Sequence, residues 1–336
     1  MYRLTAILIS ASIFVASCGK PTVPESLFDE KHGGGYKFVS KTPTAGYAQD
    51  VVKKGDLVYI AQGQGGLMIM NVANPQKPET VSITSEVIRG YSSKIAIKDT
   101  VVYIAVGSFG VAVLDVSIPE RPRPTGSNLS MKPAKNVHIS GNYMFTPISE
   151  QGVKIADVSY PTQPDERGTT KTSGYAQSVD ITSDTTFMLV ASGEMGLSIY
   201  NITDFQNGFG TYPLSGWADT PGFAEDVIIL QDELIAFMAC GTAGLQIVDF
   251  SDTANVHIIG SYDSPGYAKE VLYKNQRIYM TTERTGLQII DVSDLNKPKS
   301  IGYLITKFAL GVDIDEDFVY LADEEEGLII ISIPDY

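Results

Sequence analysis

Three carboxylates and a lysine hold one and the same place in repeated segments of this 336-residue chain: Asp50, Lys94, Asp226 and Glu270 stand immediately before Val51, Ile95, Val227 and Val271. The residues aligned with them elsewhere are Asn136, Ser178 and Gly311. Just ahead runs a companion series, Gln49, Ser93, Lys135, Gln177, Glu225, Lys269 and Leu310. Gathered at one opening, such a set offers two kinds of chemistry. Asp50, Asp226 and Glu270 supply the hard oxygen ligands a divalent cation needs, which would serve a metal-assisted hydrolase or lyase. Gln49, Asp50, Lys94, Asn136, Gln177, Glu225, Asp226, Lys269 and Glu270 together supply the mixed donors and acceptors of a binding rim for a protein or glycan. The second reading is preferred, because other catalytic signatures do not appear.

Histidine occurs only as His32, His138 and His257, too dispersed for a histidine metal cluster or a nucleophile–base pair. No HExxH, GxSxG or Walker sequence occurs. Gly63-Gln64-Gly65-Gly66 leads into a strand-like run, so it reads as a β-turn and not as a phosphate loop opening a helix. Residues 313–317 begin like a calcium loop, but position six is Phe318 where that loop needs glycine; a strand end and hairpin turn is the simpler account. Asp323-Glu324-Glu325-Glu326 reads as a solvated acidic turn. The expectation is a non-catalytic chain with no cofactor. Trp217, the one tryptophan, stands beside a glycine-rich insertion at 205–210 and joins the candidate rim as a rigid aromatic anchor.

What positions these residues is a repeat. A glycine before an apolar run recurs as Gly66, Gly110, Gly152, Gly196, Gly244, Gly286 and Gly327, at spacings of 44, 42, 44, 48, 42 and 41. An independent anchor, the β-branched residue opening each copy, recurs in step as Val51, Ile95, Val137, Val179, Val227, Val271 and Val312. Self-similarity at such a period belongs to propellers and solenoids. Each copy holds four short runs rich in Val, Ile, Leu and Tyr, joined by connections too short for a parallel crossover, so neighbouring strands are antiparallel. The ends decide between the two architectures. The last copy stops after its third run, and residues 36–41 carry the fourth-strand pattern of residues 257–262, so an N-terminal strand completes the C-terminal blade. The expected fold is all-β, a closed seven-bladed β-propeller of four-stranded antiparallel blades over residues 36–336.

The wording of the copies resembles the LVIVD-repeat family. Gly244-Leu245-Gln246-Ile247-Val248-Asp249 and Gly286-Leu287-Gln288-Ile289-Ile290-Asp291-Val292-Ser293 carry the likeness, with Gly174-Tyr175-Ala176 and Gly266-Tyr267-Ala268 as openers. The resemblance implies a bacterial β-propeller and carries over no catalytic residue. The recurring openers Tyr47, Tyr91, Tyr175, Phe223, Tyr267 and Phe308, with Pro133 in the third copy, are expected to wedge between blades, and the recurring glycines to serve turns of positive φ or close backbone approach. Function is then sought where the copies differ.

The N-terminus carries a separate message. Arg3, an apolar run over residues 4–15 and the small residues before Cys18 form a secretory leader too short to span a bilayer. Val15-Ala16-Ser17-Cys18 resembles a bacterial lipobox. The expectation is a lipoprotein signal peptide over 1–17, acylation of Cys18, a flexible tether over 18–35, and a monomer in the cell envelope that touches the membrane through its lipid alone. Gly19, in place of aspartate, points that lipoprotein to the outer membrane. The formal charge of -14 argues against nucleic acid or an anionic lipid surface as a partner for the body of the protein. Cys240, the one other cysteine, is expected to be a small buried apolar residue.

Overall fold

The computed structural model describes residues 32–129, 131–205 and 212–335, with backbone alone at 126–128. The expected leader, Cys18, most of the expected tether and most of the blade-four insertion lie outside the described residues. Seven four-stranded antiparallel sheets make seven blades. Blade one runs outward through Asp50–Lys54, Leu57–Ala61, Leu67–Asn71 and Glu79–Thr84, and its burial pattern explains its order. Residues 58–61 and 67–70 are buried on both faces of the sheet, and the outermost strand is exposed or half-buried. A continuous apolar run can lie only where both faces are covered. Here the cover is the next blade: each of seven apolar clusters draws its residues from two adjacent blades.

Two recurring residues of the repeat have local physical jobs. The anchor glycine, such as Gly66 at φ +73°, takes a left-handed conformation, and a Cβ there would run into the Thr84 carbonyl of the outer strand. The aspartate closing the third strand accepts the backbone N–H two residues on, as Asp249 does from Ser251 at 2.9 Å and Asp291 from Ser293 at 2.8 Å. These bonds fold the chain into the third-to-fourth connection and hold both carboxyls below their usual pKa.

The seventh blade is built from both ends of the chain. Lys37–Thr42 pairs antiparallel with Gly327–Ser332, Lys37 opposite Ser332 and Thr42 opposite Leu328. The expected tether ends earlier than residue 35. Gly33 is buried, His32 stacks on Tyr303 at 5.2 Å, and the hydroxyls of Tyr36 and Tyr279 lie 2.8 Å apart. The reason lies in the repeat. In other blades the connection before the outer strand packs on the outer strand of the preceding blade, as the Thr253 carbonyl does against Gly216, 2.5 Å from where a Cβ would stand. Residues 32–36 take that place for blade seven, with the Gly33 carbonyl against Gly302.

The inner strands run from an upper face, where the outer-to-inner connections and the glycine turns lie, to a lower face. The chain enters blade seven on the lower face.

Candidate functional site

The seven inner strands surround a central channel of about 430 Å³, lined by Asp50, Lys94, Asn136, Ser178, Asp226 and Glu270 and, deeper, by His138, Asp180 and Asp313. The two tiers follow from strand geometry, since residues two apart point to one side. The carboxylates in both tiers reach across blade junctions. Asp50 Oδ2 accepts the N–H of Ile95 at 2.8 Å, Asp226 Oδ2 that of Val271 at 3.1 Å, and Glu270 Oε2 that of Val312 at 3.2 Å. Where blade seven carries Gly311 in the upper tier, Asp313 takes over in the lower one and accepts the N–H of Lys53 at 2.6 Å. Gly311 itself is required by its neighbour: a Cβ there would stand 2.6 Å from the Cα of Asp50. Asp180 does the same between blades four and five, accepting from Ile229 at 2.8 Å, while His138 Nε2 lies 3.4 Å from its other oxygen.

Lys94 sits among the upper carboxylates, its Nζ 2.7 Å from Glu270 Oε2 and 3.6 Å from Asp50 Oδ1. Burial works against its charge, but Asp50, Glu270 and Asp226 outweigh that and hold the ammonium above an ordinary lysine pKa. Burial drives the carboxyls the other way: Glu270 is pushed up to about 8 in spite of Lys94, and Asp50, Asp226, Asp180 and Asp313 are raised by the same cause. The structure does not set Asp50, Asp226 and Glu270 together as a divalent-cation ligand group. Among the described residues no group of three or more His, Cys, Asp or Glu is placed to hold a metal ion. Lys94 already supplies the cation of this cluster, and backbone N–H groups take oxygens that a metal would need.

One residue earlier in each copy the character changes. Gln49, Ser93, Lys135, Gln177, Glu225 and Lys269, with the apolar Leu310, line a shallower cavity of about 170 Å³ at the upper mouth, which Lys94, Asn136 and Asp226 floor. On the blade-five and blade-six side the groups are paired: Lys269 lies 3.1 Å from Glu225 Oε2, and Tyr267 donates its hydroxyl to Glu225 Oε1 at 2.8 Å. On the adjoining blades three and four, Lys135 and Gln177 line the same cavity. Trp217 is not among these groups. It stands on the outer strand Leu214–Ala218, the width of a blade from the channel, 54% exposed beside Met195 and Leu214.

Three of the openers lie over the glycine turns of the preceding blade, Tyr91 on Gly63, Phe223 on Gly193 and Tyr267 on Gly241, whereas Tyr47 is 57% exposed. The acidic turn of blade seven is structural at its root, where buried Asp323 accepts N–H bonds from Phe308, Glu325 and Glu326. Asp315 likewise closes a hairpin turn, accepting from Asp317, Phe318 and the Tyr320 hydroxyl. Cys240 is fully buried 3.5 Å from the Thr220 hydroxyl, and burial pushes its thiol up to about 12. The lower tier escaped the sequence reading; alternation along the inner strands, which places His138, Asp180 and Asp313 two residues past the upper positions, was the available signal.

Fold and site together define a seven-bladed β-propeller repeat protein with a polar mouth on one face. The LVIVD repeat is matched over residues 45–84, 89–129, 133–172, 221–264, 265–306 and 308–335, and the chain belongs to that family. The stretch between the third and fourth matches is blade four, the blade with the insertion. No curated protein is similar to the chain at a significant level. The crystal structure of the computationally designed Ika8 protein is similar with a TM-score of 0.60, at 8% sequence identity, over 89% of this chain and 100% of that one. That likeness is one of fold alone.

Proposed function

We propose that this propeller is a non-catalytic, lipid-anchored scaffold of the bacterial cell envelope that receives a protein or glycan partner at its upper mouth. The observation that carries the reading is the division between neighbouring positions. Both series differ from blade to blade, but the channel carboxylates are engaged with the buried backbone of the next blade, while the residues one step outward line an accessible cavity. Recurrent residues build a ring; a mouth that varies around that ring can discriminate.

The lipobox-like residues 15–18 support anchorage through Cys18, and Gly19 supports the outer membrane. Because the described chain enters on the lower face, an anchor ahead of residue 32 leaves the mouth on the face away from the entry point. The experiment is affinity capture from native envelopes with the anchored protein, alongside a variant combining Gln49→Ala, Gln177→Ala, Lys135→Glu and Lys269→Glu. Loss of captured partners in the variant, with its melting curve retained, is expected. Equal capture by both proteins overturns the mouth assignment, and a Cys18→Ala protein that stays in the membrane fraction overturns the anchor.

A further inference from the structure

We propose that the junction of blades two and three carries a notch on the mouth face that takes a tyrosine side chain of a partner protein. The proposal rests on the mouth-face reading and names the chemistry that face recognises.

The template comes from the other junctions. Gly63, Gly193 and Gly241 occupy one turn position, with φ of +57°, +59° and +50°. A ring of the next blade lies over each, so that a Cβ would stand 2.8 Å from Tyr91 Cε2, 2.9 Å from Phe223 Cζ or 2.8 Å from Tyr267 Cζ. Gly107 is the fourth glycine of this kind, at φ +59°. It makes the same bridge: it pairs with Ala134 as Gly63 pairs with Ser92 and Gly241 with Ala268, and its carbonyl accepts the N–H of Ala134 at 3.0 Å, although the Lys132–Pro133 peptide ahead of it is cis. The residue ahead of that bridge is Pro133, where the others have an aromatic. Among the described residues the space over Gly107 is open, with no atom within 4 Å of where a Cβ would stand.

Of the two groups that flank an occupied position, the lysine is kept around the vacancy and the carboxylate is replaced by a shorter hydroxyl, Ser93, which donates to the Ala105 carbonyl at 3.2 Å and keeps its lone pairs as acceptors. Lys135 stands where blade six has Lys269, whose Nζ lies 5.4 Å from the centroid of the Tyr267 ring. Ser93 stands where blade five has Glu225, which accepts the Tyr267 hydroxyl. Both Lys135 and Ser93 line the mouth cavity, and Phe109, two residues past Gly107, is 56% exposed. A tyrosine entering from outside lays its ring on Gly107 under the Lys135 ammonium and turns its hydroxyl to Ser93, repeating the arrangement that Tyr267 makes within the chain.

The test titrates the whole mature chain with N-acetyl-tyrosinamide, read by NMR shifts, with N-acetyl-leucinamide as the control. The blocking variant is Gly107→Ser. Ser149 holds the equivalent turn of blade three at φ +61°, so a serine can take this left-handed turn at a cost in backbone strain, which the melting curve of the variant reads, while its side chain takes the ring's place. Saturable binding of the tyrosine probe is expected, absent for the leucine probe and weakened about tenfold or more in the variant, a loss of about 1.4 kcal/mol. No saturable tyrosine binding by the native chain, or equal binding by a folded Gly107→Ser protein, overturns the notch. Partner capture lost on changing Lys269 and Gln177 but retained in Gly107→Ser sinks the notch and leaves the mouth reading standing. Absence of any captured partner sinks the mouth reading, while the titration still judges the notch.

Discussion

Glu225 and Asp226 are neighbours in sequence, both acidic, and they belong to different parts of the molecule. Asp226 points into the channel, 8% exposed, where it accepts the Ser178 hydroxyl at 2.5 Å and the N–H of Val271 across a junction. Glu225 lies at the mouth and engages only side chains of the rim, Tyr267 and Lys269. Both cross the junction of blades five and six, but one step along an inner strand separates a carboxylate bonded to buried backbone from one bonded to side chains at the mouth. The lesson is that acidity and position in a repeat do not identify a site; what the oxygens are bonded to does.

The comparison breaks most visibly at Asp226. Asp226→Ala leaves a buried N–H and a buried hydroxyl without their acceptor and is expected to destabilise the fold by about 3 kcal/mol, read as a shift in urea midpoint. A change no larger than that of a surface substitution would dissolve the distinction. The second effect is on pH dependence. Glu270 holds its proton up to about 8 in the folded chain, against 4.5 for an ordinary glutamate, so between those values the folded state binds more protons than the unfolded one. Stability is therefore expected to fall as pH rises through that window, and the raised pKa values of Asp50 and Asp226 act in the same direction. Glu270→Gln should flatten the slope measured by denaturation at stepped pH; an unchanged slope would place the titration elsewhere. The smallest stability effect belongs to the rim. Glu225→Gln keeps an acceptor for Tyr267 and loses only a half-exposed ion pair, so its stability should stay within about 0.5–1 kcal/mol of the native chain while capture of the mouth's partner weakens.

Much of the ring was legible because its cause is local and repeated. Seven glycines and seven β-branched residues in step set the blades, and residues 36–41 carry the pattern of a strand that the last copy lacks. The upper channel positions were legible for the same reason, as variable residues next to a fixed opener. Their role was not, because it depends on bonds between blades that no segment contains, such as Asp50 to Ile95 or Asp313 to Lys53. Lys94 had appeared as one more polar rim residue; only the closed ring brings it against Glu270, some four copies away. Trp217 misled for the opposite reason. Its chemistry suits an interface, but its strand order puts it on the outer perimeter. Residues 33–35 looked like linker because three glycines suit a flexible chain; in the ring they let the backbone lie against blade six.

The pairing of Lys37–Thr42 with Gly327–Ser332 also orders events in time. The strand synthesised first has its partner synthesised last, so the growing chain stacks blades in sequence but cannot seal them until its final segment has emerged. Until then the unpaired edge of blade seven and the unclaimed first strand are both open to wrong partners. A ring lacking either Lys37–Thr42 or Gly327–Ser332 would thus be expected to fail as a whole, since closure needs both strands at once.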